Sequence, residues 1–468
     1  MTTFGAKLPL TYRREIAAPL FDLLRGGESA AIVGPASMGK SRLLQFLQRP
    51  DVQQHYLGEE AARTWLVLVD CHRLAEVSEW GLYELMLTSL TEEAGQRLDA
   101  AMRGWLNDLR REAITGANPL LARRHLELAT RVLCREHGLR LCIVFDEFDQ
   151  LYRTLPATAL ANLRALRDMG KQDERYSVCY VLMVRDHPAR LRPPAEVEGF
   201  YELFSRSVIG LKPFGEEDAR RVIAQIVARR RRVVAPDQEA AVLALSGGHP
   251  GLLVALCDLL SNGCQVPAAG DLAAWALAQP PVAEECRKLW EGLADDERLA
   301  LSRLAHGIGA SYTLRELLAL KGLIRPLEQG AVEFFSPVFR QYVLSQGKLS
   351  DRELWLDEGS AVVWVEGKPI HGLSPLEFKL LRHLYRRLGQ VCTREEIMAD
   401  LYAGEARAPG HTGGDNRVDT LVRRLRKAIE PDPERPRYLL TVRGHGYKLV
   451  DQAGGSAGDD ERALTRAH

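Results

Sequence analysis

From Ser29 to about Leu211, short apolar runs alternate with longer amphipathic stretches. The runs Ala30–Val33, Trp65–Val69, Leu141–Phe145, Val178–Val184 and Val208–Leu211 read as strands. They are apolar on both faces, which predicts a parallel sheet covered by helices on either side. A short amphipathic helix around Ile16–Leu24 comes before the first strand. From Pro213 to about Asn262 the pattern turns helical, then breaks at Gly263–Gly270. Residues 284–346 have helical periods around Leu289–Leu304 and Leu314–Leu320, followed by a hairpin over Gly322–Phe335. Residues 354–450 run strands, helices, strands. The expected segments are 1–212, 213–283, 284–348 and 354–451. The Gly/Ser/charge-rich tail at 452–468 reads as disordered.

Composition narrows the class. At about 150 residues per domain, 468 residues suggest roughly three domains. Lys plus Arg and Asp plus Glu both count 62, so any charged partner must be met by a local excess. No apolar run approaches the length of a membrane span, so no membrane partner is expected. The first fifteen residues lack the apolar core of a signal peptide. The eight cysteines are scattered without a CxxC pair, against a zinc site or a disulfide scaffold. Cys142 and Cys179 sit in strand runs as core residues. A reducing, cytoplasmic location is the expectation. The run Arg229–Arg232 reads as a solvated helix end, with a phosphate contact as the alternative.

The octet Gly34-Pro35-Ala36-Ser37-Met38-Gly39-Lys40-Ser41 fits G-x-x-x-x-G-K-[ST] between a strand and an amphipathic helix. The glycines let the backbone curl so that consecutive N–H groups face phosphate oxygens. Lys40 supplies a charge to the β- and γ-phosphates, Ser41 a magnesium ligand, and the helix start its positive end. The apolar run Leu141–Phe145 ends in Asp146-Glu147. Asp146 is read as a second magnesium ligand and Glu147 as the group that polarises the attacking water.

These residues resemble the additional-strand class of P-loop ATPases, with Trp65–Val69 taken as the additional strand, lying between the phosphate-loop strand and the Asp146 strand. Tyr12-Arg13-Arg14-Glu15, Leu203-Phe204-Ser205-Arg206 and Ser246-Gly247-Gly248-His249-Pro250 narrow the resemblance to the signal-transduction (STAND) ATPases and their archaeal-type and Orc-like relatives, over roughly residues 8–345. The resemblance implies ATP and magnesium as cofactors, a core at 1–212, a helical lid at 213–283 and an internal winged helix at 284–348. It also implies that His249 and Pro250 lie against the adenine. Arg206, with Arg185 as second candidate, would sense the γ-phosphate.

The last segment carries its own signal. Leu373-Ser374-Pro375-Leu376-Glu377 begins a capped helix. A later helix, Asn416–Ile429, places Val418, Val422, Leu425 and Ile429 on one face and five basic residues elsewhere. From Glu366 to Val450 there are 16 Lys and Arg against 11 Asp and Glu, an excess fitting a polyanion. The motifs Leu373–Phe378, Val418–Lys427 and Thr441-Val442-Arg443-Gly444-His445-Gly446-Tyr447 resemble the OmpR/PhoB-type winged helix–turn–helix. That resemblance implies double-stranded DNA as partner. Arg424 and Thr420 would face bases, Arg417, Arg423, Arg426 and Lys427 phosphates, and Arg443 the minor groove beside Thr441. RNA polymerase contact by the loop Tyr402–Gly414 is put in doubt by its length and glycine content.

The leading expectation is a nucleotide-switched transcriptional regulator that self-associates on binding ATP, with ATP turnover slow. The alternatives are a DNA-remodelling or DNA-loading ATPase, such as an initiator or transposition accessory protein, and a nucleotide-gated defence sensor.

Overall fold

Five apolar strands form one all-parallel sheet in the computed structural model, in the order β2-β3-β4-β1-β5. They are β1 (Ala30–Val33), β2 (Thr64–Asp70), β3 (Arg140–Asp146), β4 (Ser177–Val184) and β5 (Val208–Gly210). β1 and most of β3 and β4 are buried, as their two-sided apolarity requires. The additional-strand reading holds with one correction. β4 is the strand between the phosphate-loop strand β1 and the Asp146 strand β3, whereas β2, containing Trp65–Val69, lies at the outer edge. Cys142 and Cys179 are register partners across β3 and β4, both buried as core thiols.

The structure describes all residues except 1–7, 75, 96, 231–234, 262–263, 265, 268–269, 328–330, 347–353, 358–361, 366–367, 371, 402–413 and 451–468. The end of the Arg229–Arg232 run, most of the Tyr402–Gly414 loop and the tail lie outside the described residues. Two compact units emerge, residues 1–294 with 316–342, and residues 295–315 with 343–468. The expected 284–348 segment is divided between them. Its hairpin is β6 (Ile324–Pro326) against β7 (Val332–Phe334). The expected lid segment holds the helices Glu216–Arg230, Pro236–Ser246, Pro250–Ser261 and Leu272–Leu277.

In the second unit, β8 (Leu354–Asp357), β9 (Val362–Val365) and β10 (Lys368–Ile370) form an antiparallel sheet. The helices Pro375–Tyr385, Arg394–Leu401 and Gly414–Ile429 follow. The first opens on the expected capping box, with Glu377 N–H donating to Ser374 Oγ and Ser374 N–H to Glu377 Oε2. β13 (Gly446–Leu449) pairs with both β11 (Val391–Cys392) and β12 (Leu439–Val442) to form the wing. Gly446 has φ +136°, and a Cβ there would lie 2.1 Å from the Cys392 carbonyl oxygen. Only glycine fits that strand start. One core joins Leu354, Leu381, Val418, Leu425 and Tyr438. Among the described residues, no helix is long and apolar enough to cross a membrane.

Candidate nucleotide site and nucleic-acid interface

The loop from Gly34 to Ser41 leaves the carboxyl end of β1 and enters the helix Lys40–Leu47. Ser37 at φ +60° and Gly39 at φ +84° supply the reversals that curl it. Gly34 is held against the sheet: a Cβ there would fall 2.8 Å from the Leu211 side chain. Lys40 is buried, with Nζ 3.3 Å from the Gly34 carbonyl and 3.3 Å from Glu147 Oε1. Glu147, just after β3, is in the left-handed region, φ +52°, an arrangement costing roughly 1–3 kcal/mol that recurs at functional sites. Its other carboxylate oxygen accepts from Arg185 Nε at 3.0 Å and pairs with Nη2 at 2.9 Å. Arg185 follows β4, and its N–H donates to Asp149. Three adjacent strand ends thus bring Lys40, Asp146, Glu147 and Arg185 together.

The electrostatics match this crowding. Burial pulls the Lys40 ammonium down, against the opposing pull of Glu147. Burial and the neighbouring Glu147 charge raise the Asp146 carboxyl. Burial pushes Glu147 up, but Lys40 and Arg185 outweigh it and hold the carboxyl below its ordinary value. One carboxylate therefore answers two cations of the kind that grip phosphate.

A cleft of about 770 Å³ opens over the loop. Ala36 to Arg42, Glu147 and Arg185 line one side; Pro250, Gly251, Asp258, Glu284, Glu285 and Lys288 line the other. The Ser41 hydroxyl and the Asp146 carboxylate are hard oxygen donors that suit magnesium. Pro250 approaches the loop closely, its Cγ 3.7 Å from where a Cβ on Gly39 would stand. His249 is wholly buried instead. Its Nδ1 accepts the Leu252 N–H at the start of the helix Pro250–Ser261, and its ring lies 5.5 Å from that of Phe335.

Burial holds the His249 imidazole down to about 4, against the raising effects of the Glu285 carboxylate and the Ala36 backbone. The folded protein keeps this ring neutral while the unfolded chain takes a proton below the ordinary value of 6.5. Stability is therefore lost as pH falls from 6.5 towards 4, by up to about 3 kcal/mol. Asn at this position keeps a helix cap without titrating. His249→Asn is expected to flatten the decline in melting temperature between pH 7 and pH 5; an equally steep decline contradicts the assignment.

On the helix Gly414–Ile429, Val418, Leu421, Val422, Leu425 and Ile429 are buried, and Arg417, Thr420, Arg423, Arg424 and Lys427 are exposed. Residues 420, 423, 424 and 427 form a stripe at helical spacing. Asp419 ties this helix to its neighbours, accepting from Arg394 Nε at 3.0 Å and from Tyr447 Oη at 2.6 Å. The buried Glu430 carboxylate accepts the N–H groups of Arg437, Tyr438 and Leu439, fixing the start of β12. Arg443 stands exposed at the wing turn.

Residues 24–190 match the family model described as AAA domain, and residues 367–449 match the one described as transcriptional regulatory protein, C terminal. The chain joins an AAA-type P-loop ATPase domain to an OmpR/PhoB-type DNA-binding domain. Protein PetR of Rhodobacter capsulatus is 42% identical over 78 residues, 17% of this chain and 33% of that one. The sensory transduction protein RegX3 of Mycolicibacterium smegmatis is 39% identical over 103 residues, 22% of this chain and 42% of that one. The chain thus spans between a third and about two-fifths of the length of these curated relatives. Among solved structures, a Walker-type ATPase of Pyrococcus abyssi aligns over 73% of this chain and 99% of its own at 17% identity, with a TM-score of 0.44. The RstA DNA-binding domain of Klebsiella pneumoniae, solved with its RstA box, aligns over 21% of this chain and 93% of its own at 28% identity, with a TM-score of 0.19.

Three expected site residues need correction. Arg206 precedes β5, and the Ser207 carbonyl accepts the N–H of Ala31 at the amino end of β1. The phosphate loop leaves the opposite end, so Arg206 does not reach this chain's own phosphate site, whereas Arg185 does. His249 lies behind Pro250 rather than in the cleft. In the DNA-binding domain, Arg426 donates to the Leu439 carbonyl at 2.6 and 3.0 Å and to the Thr441 hydroxyl at 2.8 Å. Its guanidinium holds the wing strand rather than pointing outward to phosphate, and Thr441 is its partner.

Arg13 takes a part that its Tyr12–Glu15 motif alone does not assign. It sits at φ +52°, fully buried, its N–H on Asp218 at 2.9 Å. Its guanidinium reaches the Lys212 and Met38 carbonyls and lies 4.0 Å from the Phe214 ring centre. It thus ties the phosphate loop to the turn leading into the helix Glu216–Arg230. Its only sequence signal is the Tyr12–Glu15 motif.

Proposed function

We propose that this protein is a cytoplasmic transcriptional regulator whose binding to specific double-stranded DNA is switched by ATP. The observation that carries the reading is the Glu147 carboxylate shared by Lys40 and Arg185 in a cleft that Pro250 lines from the facing side. A triphosphate entering the cleft competes for both cations and takes them from Glu147. Ser41 and Asp146 would hold magnesium, which would neutralise phosphate charge when bound. Glu147, released from its cation pairs, orients and polarises the water that attacks the γ-phosphate, and Arg185 stabilises the charge that develops there. Turnover is slow and resets the switch. ATP-bound chains self-associate, so that linked DNA readers gain effective concentration. RNA polymerase is the proposed downstream partner.

On DNA, Arg424 and Thr420 read bases in the major groove. Arg417, Arg423 and Lys427 contact phosphates, and Arg443 enters the minor groove. Arg424→Ala is expected to cost about 1–3 kcal/mol on the cognate site and little on random DNA. Lys427→Ala should weaken both duplexes alike and lower the salt slope by roughly one. Salt titrations of binding to cognate and random duplexes test this; equal losses on both for Arg424→Ala contradict base reading.

The experiment for the whole reading is ATPase activity measured beside DNA binding. Slow turnover indifferent to random DNA, with ATP-dependent binding to discrete sites, is the expected result. Strong stimulation by any DNA favours a DNA-remodelling or DNA-loading ATPase instead.

A further inference from the structure

A second cavity, of about 680 Å³, lies in the first unit, apart from the residues that line the nucleotide cleft. Its walls are the turn Lys212–Gly215, one face of the helix Pro236–Ser246 and the β6–β7 hairpin. Phe214, Phe334, Phe335, Ile324 and Leu243 give it an aromatic and aliphatic interior. The volume is that of a small-molecule site.

Charge at the rim narrows the ligand. Arg220 donates to Glu216 at 2.6 Å and to Glu239 at 3.3 Å, and Arg325 donates to Glu333 at 2.5 Å. An anion would have to break one of these pairs to gain either guanidinium, and would otherwise meet only the exposed Lys212 among the described lining cations. An uncharged aromatic molecule meets the interior without breaking any.

Two cavity walls continue into the nucleotide site. Gly247 and Gly248 line the cavity and lead directly into His249 and Pro250. They leave no slack: a Cβ on Gly247 would lie 1.6 Å from the Phe335 carbonyl oxygen, and one on Gly248 2.2 Å from that of Phe214. A displaced Phe335 or Phe214 therefore moves the segment that holds Pro250 on the phosphate loop. On the other wall, Gly322 follows Lys321, whose buried ammonium pairs with Asp186 at 2.9 Å. Asp186 in turn follows Arg185, the partner of Glu147.

We propose that this cavity is an effector site for a small uncharged aromatic molecule, and that its occupancy changes nucleotide affinity through these two connections. The binding arm stands alone; the coupling arm rests on the nucleotide-site reading above.

The probe is N-phenyl-1-naphthylamine, titrated into the full chain by fluorescence. Wild type is expected to show a saturable rise. Ala244, exposed on the helix face that lines the cavity, can be enlarged without crowding the core. Ala244→Phe should weaken the probe about tenfold or more at an unchanged melting temperature, and Ala319→Leu, on the opposite wall, should do the same. In wild type, saturating probe should shift ATP affinity about fivefold or more, and in Ala244→Phe it should not. No saturable rise in wild type, or undiminished binding in both variants, overturns the site. Cavity-dependent binding with ATP affinity unmoved overturns the coupling and sustains the site. ATP binding by Lys40→Ala equal to wild type marks a failure of the nucleotide reading instead, with the probe titration still deciding the cavity.

Discussion

Lys40→Ala is expected to lower ATP affinity by about 2–3 kcal/mol, roughly 30–150-fold, in calorimetric titration. The lysine is the one cationic side chain of the loop octet, and its Nζ already sits over the loop, 3.3 Å from the Gly34 carbonyl. Charge-assisted bonds to phosphate each contribute about 1.5–3 kcal/mol, and alanine replaces none of them. Burial has already stripped this ammonium of much of its water, so the phosphate meets a cation that lacks a full hydration shell. The change also leaves Glu147 with Arg185 as its remaining cation, which keeps the fold of the strand ends intact. Unchanged ATP affinity would remove Lys40 from the site.

Glu147→Gln is the second large effect, and it acts in the opposite sense on binding. Turnover should fall about 10²–10⁴-fold, the usual contribution of a positioned general base. ATP affinity should hold or rise. The glutamate is the internal competitor for Lys40 and Arg185, and the neutral amide releases both cations to the phosphates. Magnesium ligands are untouched, since Ser41 and Asp146 remain. Single-turnover hydrolysis and equilibrium ATP binding, measured on the same preparation, separate the two consequences. Undiminished hydrolysis means that another group handles the water; weakened ATP binding means that Glu147 is not a competitor.

The parts of this molecule that follow from local pattern were legible in the sequence. The five strands, the phosphate loop and the buried face of the helix Gly414–Ile429 depend on periodicity and on residue types at fixed spacing, and the structure has them within a residue or two. Strand order did not follow. The chain visits Trp65–Val69 before Leu141–Phe145, which makes it look interposed, yet Ser177–Val184 takes the place beside β1. Arg206 failed for the same reason: its distance from the phosphate loop depends on the direction of β5, and a motif near a strand does not say which end it occupies. Arg426 failed for a different one. On a helical wheel it is another exposed cation, and only the return of β12 offers it the Leu439 carbonyl. Arg13 shows the limit most clearly, since its partners Asp218, Lys212 and Met38 meet it only in the folded domain.

The central claim is that nucleotide state controls which DNA is occupied. Genome-wide occupancy of wild type and Lys40→Ala, at matched protein levels, tests it most directly. The account predicts discrete sites for wild type, their loss or redistribution in Lys40→Ala, and their persistence in Glu147→Gln, which holds ATP without turning it over. Identical occupancy maps for wild type and Lys40→Ala would contradict it.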